Sequence, residues 1–163
     1  MIKSFNLIIL FVAGVLGESL LDTIYDPMEK STTIKMKEKV VLSHDDINGI
    51  VIYAYNYSSS KVSYTALSMD FVSEKGMCVD ESPEILIMFE DSSVMELKGN
   101  NYFNCDGKVF RFLNKEICDG LSSKIMIRIR LAGYSSIIEQ GIPKSKGIVL
   151  QNSIKELSKF VSD

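Results

Sequence analysis

Hydrophobic and polar residues alternate along much of the chain after residue 33, and a period of two predicts β-strands. Ile34, Met36, Val40 and Leu42 alternate with lysines, a pattern typical of a half-buried edge strand with its lysines outward. Residues 18–33 are mixed in character and are predicted to be a lead-in segment with a turn at Asp26-Pro27.

The centre of the chain predicts a β-hairpin. The turn dipeptide Asn48-Gly49 is followed by residues 50–57, which are rich in β-branched and aromatic side chains. The serine loop 58–60 then leads into a second long strand over residues 62–73.

Further strands are predicted over residues 84–90, 94–98, 108–113 and 124–131. Residues 84–90 are apolar on both faces, which is typical of a central strand covered on both sides. The alternation in 124–131 places its apolar residues on one face, namely Ile125, Ile127, Ile129 and Leu131. The other face then holds Lys124, Met126, Arg128 and Arg130.

Two helices complete the predicted fold. Asn114 is placed to cap a short helix over 115–121, and Asn152 or Ser153 to cap a final helix. Links of hairpin length favour antiparallel pairing. The sequence therefore predicts an α+β fold, mainly antiparallel β, as one sheet or a sandwich. The short helix precedes the last clear strand, and the C-terminal helix packs on the sheet.

The first residues have the pattern of a secretory signal. Lys3 precedes an apolar run from Leu7 to Gly17 that ends in small residues. This run is shorter than the roughly 20 apolar residues of a membrane span, so no transmembrane anchor is expected. We predict a signal peptide at 1–17, one globular β-rich domain at 18–163, and export to the periplasm or the extracellular space. The alternative is that the run is a buried N-terminal helix or strand.

Composition narrows the function classes. The chain has 163 residues and a formal net charge of −3, which gives no electrostatic reason to expect nucleic acid binding. His44, with Asp45 and Asp46, is the single histidine, so neither a metal site nor a cysteine–histidine nucleophile is predicted, and no cofactor is expected. Enzyme activity stays open, although the sequence favours a non-catalytic protein.

The three cysteines allow at most one intramolecular disulfide. Cys105 and Cys118 are the pair closest in sequence and are the candidate bridge. The alternative is that all three are reduced and pack as small apolar side chains.

Tyrosines and arginines are the candidate binding residues. Tyr53, Tyr55 and Tyr57 fall on one face of a strand, and Tyr64 is placed across the hairpin from them. Such a row offers a recognition surface or a cross-strand aromatic cluster that stabilises the sheet. Arg128 and Arg130 form a basic stripe that could hold an anion or pair with neighbouring carboxylates.

One stretch of the chain supports a resemblance. Residues 85–131 begin with Ile-Leu-Ile-Met-Phe-Glu-Asp, pass through Tyr-Phe-Asn-Cys and Val-Phe-Arg-Phe-Leu, and end in Ile-Met-Ile-Arg-Ile-Arg-Leu. This stretch resembles a module of uncharacterised small exported bacterial β-rich proteins. The resemblance implies export and a β-rich fold, and it does not assign an activity.

Three functions are compatible with these observations. The leading hypothesis is an exported non-catalytic protein that binds a protein partner through a sheet face or edge. The second is an immunity or inhibitor protein that neutralises a toxin or an enzyme. The third is a hydrolase whose carboxylates come from distant strands, which predicts a concave pocket with two acids of shifted pKa.

Overall fold

The computed structural model of the chain describes residues 19–43, 49–72, 76, 78–133 and 137–161. The predicted signal peptide and the His44-Asp45-Asp46 group lie outside these residues. The strands are β1 (Leu21–Asp26), β2 (Ser31–Met36), β3 (Val40–Ser43), β4 (Gly49–Ser58), β5 (Ser63–Val72), β6 (Glu84–Phe89), β7 (Val94–Glu96), β8 (Lys108–Leu113), β9 (Met126–Ala132) and β10 (Ile137–Gly141). The helices are α1 (Lys115–Ser123) and α2 (Lys144–Leu157), followed by a 3-10 turn at Ser158–Phe160.

The larger sheet is antiparallel and has the order β1-β2-β4-β5-β8, with β3 paired to β4. Its centre is the predicted hairpin, β4 with β5, in register from Gly49 opposite Val72 to Ser58 opposite Ser63. Alternation along β4 sends Ile50, Ile52 and Ala54 into the core. The intervening tyrosines consequently lie on the outer face.

The edge strand predicted from residue 33 is two strands, because the chain leaves the β4 ladder after Lys35 and returns at Val40. In the gap, the Ala54 backbone N–H donates to the Met36 Sδ at 3.2 Å. The predicted edge position was wrong for β2, since it lies between β1 and β4.

The turn predicted at Asp26-Pro27 is confirmed, but the lead-in prediction for 18–33 was wrong, since β1 and β2 form a hairpin on either side of that turn. The alternation of apolar and polar residues did not predict β1, because its side chains are almost all exposed.

The smaller sheet has the order β10-β9-β6-β7. The central position predicted for β6 is confirmed, but one of its faces, with Leu86 and Met88, is only half-buried. A register shift between Met88 and Phe89 places Met126 opposite Phe89. Met126 is therefore buried in the core. Its predicted position on the face with Arg128 and Arg130 was wrong.

The helix α1 begins as predicted, since the Asn114 Oδ1 accepts from the Ile117 N–H at 2.8 Å. The helix α2 begins at Lys144, well before the predicted caps. Gly147 permits close packing of this helix on β9, because a Cβ there would lie 2.4 Å from the Met126 carbonyl oxygen. The strand β10, preceding α2, was not predicted.

One hydrophobic core joins the elements. Buried side chains from both sheets and both helices form a single cluster, which includes Ile52, Leu67, Ile87, Leu121 and Leu150. The predicted α+β class, mainly antiparallel and with a C-terminal helix on the sheet, is confirmed. Across the described residues, no helix combines the length and apolarity needed to span a membrane.

Candidate functional site

The predicted tyrosine row is present on the outer face of the larger sheet. The rings of Tyr53 and Tyr55 stack with centroids 6.0 Å apart. Tyr64 lies directly opposite Tyr57 in the β4–β5 register, and their rings stack at 5.4 Å. The structure thus brings together the tyrosines that alternation had placed on one face.

Two phenylalanines that the sequence analysis did not single out extend this row. Phe110 and Phe112 of the edge strand β8 contact each other edge-to-face at 4.9 Å. The Tyr64 ring lies 5.3 Å from the Phe112 ring, and the Tyr55 ring 6.1 Å from the Phe110 ring. We call this continuous surface the aromatic face, composed of Tyr53, Tyr55, Tyr57, Tyr64, Phe110 and Phe112.

The aromatic face points away from the core. Alternate residues of β4 belong to the core that α2 also joins, so this helix lies on the opposite side from the tyrosines. The tyrosines and Phe110 are half-buried against one another, while Phe112 is 64% exposed. The face is therefore an apolar surface open to solvent at its β8 end.

Polar contacts hold the tyrosines in place. The Lys39 Nζ lies 4.7 Å from the centroid of the Tyr53 ring, a cation–π contact. The Tyr57 hydroxyl donates to the Glu29 Oε2 at 3.3 Å. Burial, reinforced by the neighbouring Tyr64, raises the pKa of Tyr55 well above its ordinary value, so this ring stays neutral.

A cleft of about 700 Å³ adjoins the aromatic face along β8. We call it the edge cleft; its lining is Glu81, Ser82, Asn100, Asn101, Tyr102, Phe110 and Phe112. It shares its two phenylalanines with the aromatic face, so the two surfaces are continuous. The Tyr102 side chain is 93% exposed at its rim.

The loops of the edge cleft are tied together. The Asn101 N–H donates to the Glu81 carbonyl oxygen at 2.7 Å, and the Asn101 side-chain amide donates to the Lys108 carbonyl oxygen at 3.1 Å. An isolated antiparallel bridge joins Val79 to Asn104. These contacts fix the cleft wall to the edge strand before any ligand arrives.

The disulfide joins Cys78 to Cys105, so both the candidate Cys105–Cys118 bridge and the alternative of three reduced cysteines were wrong. The bridge between Val79 and Asn104 brings the neighbouring cysteines face to face, with their Cα atoms 3.8 Å apart. Cys118 instead lies on α1 with its side chain fully buried. Closeness in sequence gave the wrong disulfide partner for Cys105, because the backbone bridge decides which cysteines meet.

Arg128 and Arg130 lie on the outer face of the other sheet and do not join the tyrosines. The Arg128 Nη1 forms an ion pair with the Glu139 Oε1 at 2.6 Å, which is the cross-strand pairing left open as an alternative. Arg130 lies opposite Glu139 in the β9–β10 register, and its Nε is buried with no hydrogen-bond partner among the described residues.

The described lining of the edge cleft does not contain the two acids that the hydrolase hypothesis predicts. Among the residues that the structure describes, Glu81 is the single carboxylate lining the edge cleft. Asp91 has a pKa lowered by hydrogen bonds from Lys124 and Ser93, but it lies in the exposed β6–β7 turn. Among residues 19–43, 49–72, 76, 78–133 and 137–161, no group of three potential metal-ligating side chains comes together.

Comparison with known proteins gives no relative: no family model, no curated protein and no solved structure matches the chain. The aromatic face and the edge cleft are therefore the features that point to a function.

Proposed function

We propose that this chain is an exported, non-catalytic binding protein that recognises a protein partner through the aromatic face. The observation that carries the proposal is the continuous aromatic surface on the solvent side of the larger sheet, with Phe112 at its open end 64% exposed. Tyrosine and phenylalanine give large contact areas at low entropic cost, and they are enriched at protein interfaces.

The chemistry of the surface favours a protein over other partners. The net charge of −3 disfavours nucleic acid. Opposite charges alternate across strands on the same face, with Asp22 opposite Lys35 and Asp70 opposite Lys108. An apolar centre with a mixed polar border is the usual composition of a protein interface. The disulfide supports export, because disulfides persist in oxidising compartments.

The test begins with site-specific photo-crosslinking in the native host. A photoreactive phenylalanine analogue is placed at Phe112 in one strain and at Tyr25 in another. Tyr25 is the matched control because it is 61% exposed and lies in the same sheet, but alternation places it on the opposite face. We expect one dominant protein adduct from position 112 and none of that species from position 25.

The captured protein is then purified, and its affinity is measured for the full chain and its variants. We expect Phe112→Ser and Tyr64→Ser each to weaken binding about tenfold or more, as for interface hot spots. Tyr25→Ser should change the affinity by less than about twofold. Equal affinities for all three variants, with unchanged circular dichroism, would contradict the proposal.

A further inference from the structure

We infer that the edge cleft takes an arginine side chain of the partner, with the guanidinium against the Glu81 carboxylate and the stem between the rings of Tyr102 and Phe112. This inference rests on the proposed function for the identity of the partner as a protein. The site itself is argued from the residues of the cleft.

The first observation is the charge of the cleft. Glu81 is the only carboxylate that the described residues contribute to its lining, and its side chain is exposed. Within the described part of the chain, no lysine or arginine nitrogen lies within ion-pair distance of its carboxylate. The nearby Arg111 does not serve this role, because its guanidinium donates to the carbonyl oxygens of Leu97 and Pro83.

The second observation is the aromatic lining. Tyr102, Phe110 and Phe112 border the same cleft as the carboxylate. A guanidinium is planar and weakly hydrated, so it stacks on aromatic rings while its N–H groups reach a carboxylate. A lysine ammonium is a compact, strongly hydrated charge, so it binds aromatic rings beside a carboxylate less well than a guanidinium does. The side-chain amide oxygens of Asn100 and Asn101, also in the lining, can accept hydrogen bonds from the guanidinium.

The third observation is size and preorganisation. A volume of about 700 Å³ lies within the roughly 300–1,000 Å³ of ligand clefts, which is room for an arginine together with neighbouring peptide. Because Phe110 and Phe112 belong to both surfaces, a partner on the aromatic face can direct one side chain into the cleft. The backbone bond from Asn101 to Glu81 keeps the acidic wall in position.

The test uses the purified full chain with its disulfide intact and small probes, so that it does not depend on finding the partner. Acetyl-arginine-amide is titrated against the isotope-labelled chain by NMR, with acetyl-citrulline-amide as the neutral isostere and acetyl-lysine-amide as the ammonium comparator. We expect the arginine probe to shift the resonances of Glu81, Tyr102 and Phe112. The citrulline probe should bind at least about fivefold more weakly than the arginine probe. Maltotriose is included because aromatic rings with amides also bind glycans.

Variants locate the interaction. Glu81→Gln should reduce the preference for arginine over citrulline to about unity, and Tyr102→Ala should weaken both probes. Glu38→Gln is the control, since it removes an exposed acid outside the cleft lining. Equal binding of arginine and citrulline, or binding of maltotriose alone, would overturn the inference. If arginine binds while Tyr64→Ser, a variant of the aromatic face outside the cleft lining, leaves the captured partner's affinity unchanged, the proposed function fails and the cleft assignment stands.

Discussion

The Arg111 Nε donates to the carbonyl oxygen of Leu97 at 3.2 Å, inside the core and 14 residues away along the chain. The same guanidinium donates to the carbonyl oxygens of Pro83 and Phe110 at 3.1 and 2.9 Å. Arg111 is only 2% exposed. Burial lowers the pKa of its guanidinium and Asp80 opposes this, but an arginine remains charged in proteins. The residue thus fastens two loops of the edge cleft to β8.

Removing this side chain should destabilise the fold strongly. Arg111→Met leaves the Leu97 and Pro83 carbonyl oxygens buried without their donor, and we expect a loss of about 2–5 kcal/mol in the free energy of unfolding. Urea denaturation followed by circular dichroism measures it. Arg128→Met is the control, since that arginine is half-exposed in its ion pair and should cost less than about 1 kcal/mol. Similar losses in both variants would show that the buried hydrogen bonds contribute little.

The β8 sequence shows what alternation can and cannot predict. Lys-Val-Phe-Arg-Phe-Leu places Phe110 and Phe112 on one face and Arg111 on the other, as observed. Nothing local shows that β8 pairs with β5, because this contact joins strands separated by a long connection. The tyrosine row could therefore be predicted, whereas its extension by phenylalanine could not.

Long-range contacts also explain the remaining errors. An arginine in a strand normally indicates a solvent face, and only the loop carbonyls around Arg111 make its burial possible. The disulfide partner of Cys105 is set by the strand bridge at Asn104, which sequence spacing does not contain. The late start predicted for α2 has the same origin, since the packing of Gly147 on β9 is a tertiary contact.

The β6–β7 turn contains a serine in a conformation that favours glycine. Ser92 has a φ of 65°, in the left-handed region. We expect Ser92→Gly to raise the free energy of unfolding by about 0.5–1 kcal/mol, because relief of strain exceeds the added entropy of the unfolded chain. Ser60→Gly, in the β4–β5 loop, is the control and should be neutral or slightly destabilising. A lower stability for Ser92→Gly would mean that its hydroxyl matters more than the backbone strain.

Asp91, in this turn, should make the free energy of unfolding depend on pH in the acid range. Its carboxylate accepts from the Lys124 Nζ at 2.6 Å and from the Ser93 N–H at 3.0 Å, and these bonds lower its pKa in the folded state. A lowered folded pKa contributes stability above the unfolded value of about 4, and the contribution is lost as pH falls below it.

The variant Asp91→Asn tests this dependence. The difference in unfolding free energy between the wild type and Asp91→Asn should be largest near neutral pH and should shrink from about pH 4 downwards. Urea denaturation at a series of pH values measures it. The same series with Lys124→Met should show a weaker pH dependence at Asp91, because the largest cause of the lowered pKa is then missing. A difference that is constant with pH would show that Asp91 stabilises the turn only as a neutral acceptor.

The cysteines give a sharp prediction for alkylation. Cys118 is fully buried, and burial, with a smaller contribution from Asp119, raises the pKa of its thiol to about 11. Since the thiolate is the reacting form, only about one Cys118 thiol in a thousand is reactive at pH 8 even before burial limits access. Iodoacetamide should therefore add no mass to the native chain, one adduct in denaturant, and three in denaturant with reductant.

The variant Cys105→Ser separates the two possible pairings. It frees Cys78, which is only half-buried, so the native variant should gain one adduct that maps to Cys78. If Cys105 were instead paired with Cys118, Cys78 would already react in the native wild type. The variant should also lose about 3–4 kcal/mol of stability by the chain-entropy relation for the 27-residue separation. Because that disulfide closes the segment bearing Glu81 and Tyr102, loss of arginine-probe binding in Cys105→Ser would connect the covalent closure to the shape of the edge cleft.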